Sequence, residues 1–301
     1  AYICMIAVCY LGGVQIVEGR LQSGDLISFI SYIGQVLSAV MMVAMMMVML
    51  VMSKASMARI TEVLAEKPSI NDDDAKDIAV TDGSIEFDDV SFSYNGNPDN
   101  PNLEHIKLKI ASGETIGIIG GTGSAKSTLV QLIPRLYDVT SGAVKVAGHN
   151  VKDYKIQTLR HSVSMVLQKN VLFSGTIKEN LKWGNADATD AEIEEACRAA
   201  AADGFIKGFP DGYDTELGQG GVNVSGGQKQ RIAIAGVLAV RPEVLVLDEP
   251  VAGLDPQGKR DFFALLHELH RTFVKTVIFI SHDMDDVAEH ATKVAVFDRG
   301  E

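Results

Sequence analysis

The chain has 301 residues and a formal net charge of −12 at pH 7, a length that predicts roughly two domains. The acidic balance argues against nonspecific nucleic-acid binding, which depends on Lys and Arg contacts with phosphates, so we expect no nucleic-acid partner. Two of the three cysteines lie in the apolar N-terminal segment and the third lies far away. This spacing predicts neither a disulfide framework nor a metal site, and it favours a reduced cytosol for the soluble part.

The N-terminal region is apolar enough to require a membrane. Two uncharged segments, residues 1–17 and 26–52, flank a short polar turn at residues 18–25. About 20 apolar residues suffice to cross the hydrocarbon core, so the pattern predicts two antiparallel membrane helices. Lys54 and Arg59 follow the second helix and place that end on the cytoplasmic side. A signal peptide is the alternative for residues 1–17, but the segment has no initiator Met, basic start or small-residue cleavage site.

Methionines crowd the second apolar segment between residues 41 and 49. Methionine fills irregular apolar gaps, so we interpret the run as packing in preference to metal or substrate contact. Two membrane helices seldom form a pathway by themselves, and Ala1 already lies inside an apolar stretch. We therefore expect further membrane spans upstream, in a longer protein.

Downstream of the apolar segment, the chain changes character twice. Apolar residues recur on one helical face from Ser53 to Lys67, and Pro68 ends this helix. A polar, acidic stretch then predicts a linker over residues 69–83. Over residues 84–301, apolar β-branched runs alternate with helical segments, which predicts an α/β domain. Buried strands are predicted at 115–119, 162–167, 243–247 and 276–280, and helices at 126–136, 191–202 and 225–240.

A glycine-rich loop between a predicted strand and a predicted helix is the first candidate site. In this arrangement, backbone N–H groups can enclose phosphates. Lys126 is predicted to reach the β and γ oxygens of a nucleotide, and the Ser127 hydroxyl to ligate Mg²⁺. A glycine turn without a ligand is the alternative. The predicted nucleotide-binding residues are Gly120, Gly121, Thr122, Gly123, Ser124, Ala125, Lys126, Ser127 and Thr128.

Ala125 departs from the general pattern of such loops, which has glycine immediately before the lysine. If this position has a positive φ, its methyl group costs on the order of 1 kcal/mol or more and crowds the nucleotide. We predict that the loop binds ATP with Mg²⁺. The alternative is a loop whose nucleotide binding Ala125 impairs.

An acidic pair, Asp248 and Glu249, closes the apolar run at residues 244–247. Behind a phosphate loop, Asp248 is predicted to hold Mg²⁺ through water, and Glu249 to polarise the attacking water. Pro250 fixes the turn that follows. A solvated turn is the alternative, because acidic residues commonly end strands.

The string Ser225-Gly226-Gly227-Gln228 is predicted to open a helix, where backbone N–H groups and the positive end of the helix dipole attract an anion. A helix start without a ligand is the alternative. Together with the phosphate loop and the acidic pair, this string resembles the nucleotide-binding domain of an ATP-binding cassette (ABC) transporter. The resemblance implies that Ser225, Gly226, Gly227 and Gln228 cover the nucleotide of a second such domain, so that two ATP sites form between two chains.

The resemblance implies roles for further positions. Tyr94 looks like the aromatic residue that stacks on adenine, and Gln168 looks like the glutamine that contacts Mg²⁺ and water. Asp255 resembles the aspartate that links the two composite sites, and His282 resembles the histidine that responds to the γ-phosphate. A core or edge tyrosine and a structural histidine are the alternatives. Residues 215–221 would form the loop that touches the coupling helices of the membrane part.

The resemblance covers nearly the whole chain. Residues 1–68 resemble the last two membrane helices and the exit helix of an exporter, and residues 84 to about 231 resemble the nucleotide-binding domain of a bacterial exporter of the multidrug or lipid type. The implied nucleotide-binding domain as a whole spans residues 84–301. The implied fold is an α-helical membrane segment followed by an α/β P-loop NTPase domain with a β subdomain and a helical signature subdomain. Residues 233–242 and 249–256 are closer to the ATPases of energy-coupling-factor importers.

The implied activity is ATP hydrolysis that drives export of a small amphipathic compound, drug or lipid, by one half of a homo- or heterodimer. This half would cross the cell membrane more than once, contact lipid, and hold its nucleotide-binding domain in the cytoplasm. The implied catalytic residues are Glu249, His282 and Gln168, and the implied Mg²⁺ ligands are Ser127, Gln168 and Asp248.

Two alternatives to this function stay open. Ala125 motivates a regulatory or catalytically impaired half of a heterodimer, and the C-terminal third motivates the ATPase of an energy-coupling-factor importer. A soluble ABC protein of DNA repair or translation is disfavoured by the apolar N-terminal segment.

Overall fold

The computed structural model describes residues 2–97, 100–252, 254–298 and 300. The chain forms two compact units, Ala1–Ser69 and Ile70–Glu301. Most of the stretch predicted as a linker, residues 69–83, packs within the second unit. There the Asp72 carboxylate accepts a hydrogen bond from Ile156 N at 2.8 Å, and Lys76 forms an isolated bridge with Tyr154.

In its described part, the first unit consists of helix α1, Tyr2–Val17, and helix α2, Ser23–Ala65. α2 is continuous, so the predicted second membrane helix and the predicted exit helix are one element, and the turn before it is shorter than predicted. The reason is local: residues 53–65 contain no proline or glycine that would interrupt a helix. The helix ends just before Pro68, which disfavours helical backbone for the residue preceding it.

By length and composition, α2 could cross a membrane. Within the described residues it alone meets that test, with a hydropathy of 2.4 in its most apolar part. The apolar stretch Ile3–Val17 of α1 is shorter than the about 20 residues that cross a bilayer, so a second span stays a prediction. α1 packs on α2, and Gly12 permits the approach, because a Cβ there would lie 2.4 Å from Leu26 Cδ1.

The second unit contains a central parallel sheet, an antiparallel sheet and a short strand pair. The strands are β1 Ile85–Phe92, β2 Leu103–Ile110, β3 Thr115–Gly120, β4 Ser141–Val146, β5 His149–Asn150, β6 Val163–Val166, β7 Gly175–Thr176, β8 Glu216–Leu217, β9 Val244–Asp248, β10 Thr276–Ile280 and β11 Lys293–Phe297. The central sheet has the order β11-β3-β10-β9-β6, the antiparallel sheet has the order β2-β1-β4-β5, and β7 pairs with β8.

Eight α-helices are described in the second unit. They are α3 Lys126–Gln131, α4 Ile156–Ser162, α5 Ile177–Lys182, α6 Asp190–Ala199, α7 Asp203–Ile206, α8 Gly226–Leu238, α9 Pro256–Thr272 and α10 Met284–His290. Of these, α3, α9 and α10 follow strands β3, β9 and β10 of the central sheet. The predicted helix 126–136 is too long: turns follow Gln131, and Arg135 has a φ of 51°. Helices α5, α6 and α8 pack together as a helical subdomain. The predicted α/β architecture, with β and helical subdomains after an N-terminal helical segment, is confirmed.

The central sheet separates two hydrophobic cores. Val244 and Val246 of β9 belong to the core shared with the antiparallel sheet, whereas Leu245 and Leu247 belong to the core shared with the helices. Successive side chains of a strand point to opposite faces, and both faces are covered here. Polar chemistry is therefore confined to the strand ends and the loops that follow them.

Candidate functional site

The carboxyl ends of neighbouring parallel strands meet at one edge of the central sheet. The register pairs Ile280 of β10 with Ile118 of β3 and with Asp248 of β9, and it pairs Val166 of β6 with Leu247. The predicted phosphate loop and the acidic pair lie at these ends. His282 and Gln168 lie in the loops that follow β10 and β6. Ligands of open parallel sheets bind at this kind of edge.

The phosphate loop curls around the side chain of Lys126, which is buried. Lys126 Nζ donates to Gly120 O at 2.8 Å and to Gly121 O at 2.9 Å. A Cβ at Gly120 would lie 2.3 Å from Phe297 O, and Gly123 has a φ of 82°, so both positions favour glycine. The loop thus holds a positive charge among closely approaching backbone groups.

Ala125 has the positive φ on which its predicted cost depends. It lies in the left-handed region, with φ 67° and ψ 21°, immediately before α3. This conformation costs a non-glycine residue roughly 1–2 kcal/mol. Its methyl group packs against the core between the two sheets, so the backbone conformation accounts for the expected cost.

Asp248 is a buried carboxylate at the end of β9, with 6% of its surface exposed. Burial raises its pKa, and a hydrogen bond from Ser127 and the charge of Lys126 oppose the shift. Because the folded pKa lies above 3.8, the stability contributed by the protonated form is lost as pH rises through the folded value. A cation bound beside Asp248 would stabilise its ionised form.

Glu249 and Gln168 meet across the sheet edge. Gln168 Nε2 donates to Glu249 Oε2 at 2.6 Å, and Glu249 has a φ of 47°. Mg²⁺ prefers oxygen ligands and keeps several waters; a hydroxyl from Ser127, a carboxylate from Asp248 and the amide oxygen of Gln168 fit that preference. The described residues contain no separate cluster of three or more His, Cys, Asp or Glu side chains suited to a metal.

Tyr94 stands beside the phosphate-loop helix. Its hydroxyl lies 3.1 Å from Thr128 Oγ1, and its ring packs edge-on against Phe92 and Tyr137 with centroids at 4.8 and 5.1 Å. The side chain is half exposed. The structure therefore brings this tyrosine next to the loop and leaves part of its ring open to a ligand.

Ser225 begins α8 through a capping box that the sequence interpretation missed. Ser225 N donates to Gln228 Oε1 at 2.9 Å, and Gln228 N donates to Ser225 Oγ at 3.3 Å. The S-x-x-Q spacing is the signal that could have revealed it. α8 packs against α5, α6 and edge strand β6, and β9 and β10 separate β6 from β3. Among the described hydrogen bonds, none joins this motif to the phosphate loop of the same chain.

Asp255 lies in the loop between β9 and α9, and His282 lies in the loop between β10 and α10. Asp255 caps α9 by accepting a hydrogen bond from Gly258 N at 3.2 Å, while its neighbour Gly253 lies outside the described residues. His282 is exposed between the ends of β10 and α10. Lys259, which sequence reasoning missed, donates to Asp283 beside this histidine at 2.9 Å.

The first half of the loop at residues 215–221 is held by hydrogen bonds. Ile177 N donates to Thr215 O at 3.0 Å, and the Asn223 side chain bridges Glu216 O and Gly218 N at 2.8 and 3.1 Å. The contact of this loop with coupling helices stays a prediction.

Comparisons with known proteins agree with this architecture. Residues 103–252 match the family model described as ABC transporter. A multidrug export ATP-binding/permease protein of Staphylococcus aureus (strain NCTC 8325 / PS 47) is 41% identical over 98% of this chain and 50% of its own length. YgaD of Bacillus subtilis (strain 168), with the same description, is 38% identical over the same shares.

A solved structure extends the likeness to three dimensions. A bacterial Atm1-family ABC exporter, solved with ATP bound, matches with a TM-score of 0.84 and 30% identity over 99% of this chain and 52% of that chain. The chain thus spans about half the length of the curated relatives it matches.

Proposed function

The chain belongs to the ABC transporter family, and from this premise we propose that it binds and hydrolyses ATP to drive export of a small amphipathic compound, drug or lipid. In this proposal it acts as one half of a dimeric exporter in the cell membrane, crosses the membrane more than once, and holds residues 84–301 in the cytoplasm. The observation that carries the proposal is the convergence of Lys126, Asp248, Glu249 and Gln168 at one sheet edge.

The chemistry of this edge suits phosphoryl transfer to water. Bound MgATP supplies the scissile γ-phosphate and a cation that stabilises its charge. Lys126 can exchange its carbonyl partners for phosphate oxygens, and Ser127 and Asp248 would hold the cation. Gln168 orients the Glu249 carboxylate at 2.6 Å, so that Glu249 can accept a proton from the attacking water. His282 would contact the γ-phosphate, and Tyr94 would stack on adenine.

The distribution of polar residues on α2 supports a path for cargo. Ser28, Ser31, Gln35 and Ser38 repeat at intervals of three and four residues, and Met42, Met45, Met49 and Met52 continue the same face. The opposite face is half buried against α1 at Leu26, Ile30 and Ile33. Polar side chains in membranes turn toward protein or water, and methionine adapts to varied apolar groups. This face would therefore suit an amphipathic compound.

A regulatory or impaired half of a heterodimer is the second candidate function. The left-handed backbone of Ala125 favours it, because the loop bears a conformational cost that glycine avoids. The importer alternative is less well supported, because the similarity to exporter relatives includes the N-terminal helices.

The assigned role of Glu249 is tested by Glu249→Gln. We expect kcat for ATP hydrolysis to fall by about 100-fold or more, because the amide cannot accept the proton, while the Kd for MgATP changes little. Steady-state hydrolysis and equilibrium binding are measured on the same preparations. Glu243→Gln, at the other end of β9, is the matched control and should leave both unchanged; full turnover in Glu249→Gln would remove Glu249 as the base.

A further inference from the structure

The Lys259 side chain connects two loops that are separate in the sequence, the loop of Asp255 and the loop of His282. It lies one turn into α9, and its Nζ is 2.9 Å from Asp283 Oδ2 and 3.3 Å from Asp286 Oδ2. The three side chains are 29%, 35% and 13% exposed, so the cluster is shielded more than a surface ion pair. The hydrogen bond to Asp283 raises the pKa of Lys259, and the same bond lowers the pKa of Asp283.

On one side, this cluster holds the loop that carries His282. Asp283 N donates to Ser281 Oγ at 3.1 Å, and the Asp283 carboxylate also accepts from Asp285 N at 3.1 Å to cap α10. Ser281 is buried and its hydroxyl lies 3.5 Å from Asp286 Oδ2. His282 is therefore exposed between two neighbours that are both fixed.

On the other side, the cluster is attached to the loop of Asp255. Lys259 N donates to Asp255 O at 3.0 Å in the first turn of α9, and the Asp255 side chain caps the same turn. A short chain of contacts thus runs from Asp255 through Lys259 and Asp283 to His282. Each link is a hydrogen bond, an ion pair or a peptide bond.

We propose that Lys259 is a positioning residue that couples the loop of Asp255 to the loop of His282. The proposal rests on the function proposed above, in which Asp255 lies between two composite sites and His282 contacts the γ-phosphate. A movement of the first turn of α9 would carry Asp283, and with it His282, toward or away from the nucleotide. Pairing of two domains would in this way set the position of the histidine for hydrolysis.

Lys259→Met tests this coupling, since it removes the charge and keeps most of the length of the side chain. In the full chain, we expect kcat for ATP hydrolysis to fall by about 10-fold, because a misplaced group loses catalytic efficiency, while KM for ATP changes much less. We also expect faster backbone amide exchange over residues 281–287. Lys259→Arg, which retains the charge, should recover most of the kcat.

The matched control is Lys178→Met. It breaks the ion pair of Lys178 with Asp190, at 2.7 Å and with side chains 33% and 67% exposed, between α5 and α6. We expect its kcat and its exchange over residues 281–287 to equal those of the wild type. Thermal midpoints of every variant separate positioning from general loss of stability.

Three outcomes would overturn the coupling. Lys259→Met could leave exchange over residues 281–287 unchanged, its kcat could fall only in proportion to a lower thermal midpoint, or Lys178→Met could lose kcat equally. A chain without ATPase activity would contradict the proposed function instead. In that case amide exchange alone decides whether Lys259 holds the His282 loop.

Discussion

The effect of the Ala125 methyl group on nucleotide binding decides between the two candidate functions, an active half-exporter and a regulatory or impaired half. The backbone there is left-handed, yet the methyl packs into the core between the sheets. A substitution at this position therefore separates the conformational cost of the loop from crowding of the nucleotide. The two effects have different observables, namely stability and affinity.

For Ala125→Gly, we expect a gain in unfolding free energy of up to about 1 kcal/mol and a Kd for MgATP within about threefold of the wild type, because strain is relieved and no contact with ligand is removed. Thermal unfolding and titration calorimetry measure the two quantities. Ala147→Gly is the control, since Ala147 also has a positive φ of 48° but lies in the turn between β4 and β5. Nucleotide binding confined to the glycine variant would favour the regulatory or impaired half.

At the scale of elements, α9 and α10 pack through a histidine that burial keeps neutral. The ring of His290 stacks on Phe263 at 4.0 Å, and His267 lies 5.2 Å away. Burial lowers the pKa of His290 from 6.5 and His267 lowers it further, against the opposing effects of Glu289 and Asp286. Its Nδ1 is buried without a partner among the described residues. Protonation would therefore place a charge in this contact and a proton on a buried nitrogen that has no acceptor among the described residues.

The lowered pKa of His290 determines how the stability of the fold changes with pH. The stability that neutral His290 contributes is present above pH 6.5 and is lost as pH falls through the folded pKa. We expect His290→Phe, which keeps the stacking, to reduce the loss of thermal midpoint between pH 7 and pH 5. His161→Gln, at an exposed position on α4, is the control. An equal acid sensitivity in wild type and His290→Phe would contradict this role.

At the scale of the whole molecule, the open position of Gly226 agrees with a site shared between two chains. A Cβ at Gly226 meets no heavy atom within 4 Å, so Gly226→Leu should fold normally and obstruct only an approaching second domain. Lys126→Ala should disable the phosphate loop of its own chain. Each variant alone is expected to lose ATP hydrolysis.

Mixing the two variants tests whether the site is shared. If the chain pairs with its own copy, a mixed dimer has one site with both defects and one intact site. We therefore expect co-expression of Lys126→Ala and Gly226→Leu to restore hydrolysis that neither variant shows alone. Co-expression of two differently tagged Lys126→Ala chains is the control. No recovery from a verified mixed dimer would contradict the prediction that one intact shared site supports hydrolysis.

The sequence alone determined the order of strands β3, β6, β9 and β10 and of helices α3, α6 and α8, together with the motifs at their ends. Strand, glycine loop and helix are contiguous, and so are the apolar run and the acidic pair, so local periodicity and turn chemistry were sufficient. The predictions were least accurate for the ends of helices. α2 runs unbroken from Ser23 to Ala65, and α3 stops at Gln131.

The tertiary structure decided which distant side chains touch. Gln168 meets Glu249 and Lys259 meets Asp283 because the parallel register aligns the ends of β6, β9 and β10, and because α9 packs near the start of α10. It also decided that the methyl of Ala125 points into the core. Such contacts depend on the mutual placement of elements, which no local pattern of residues specifies.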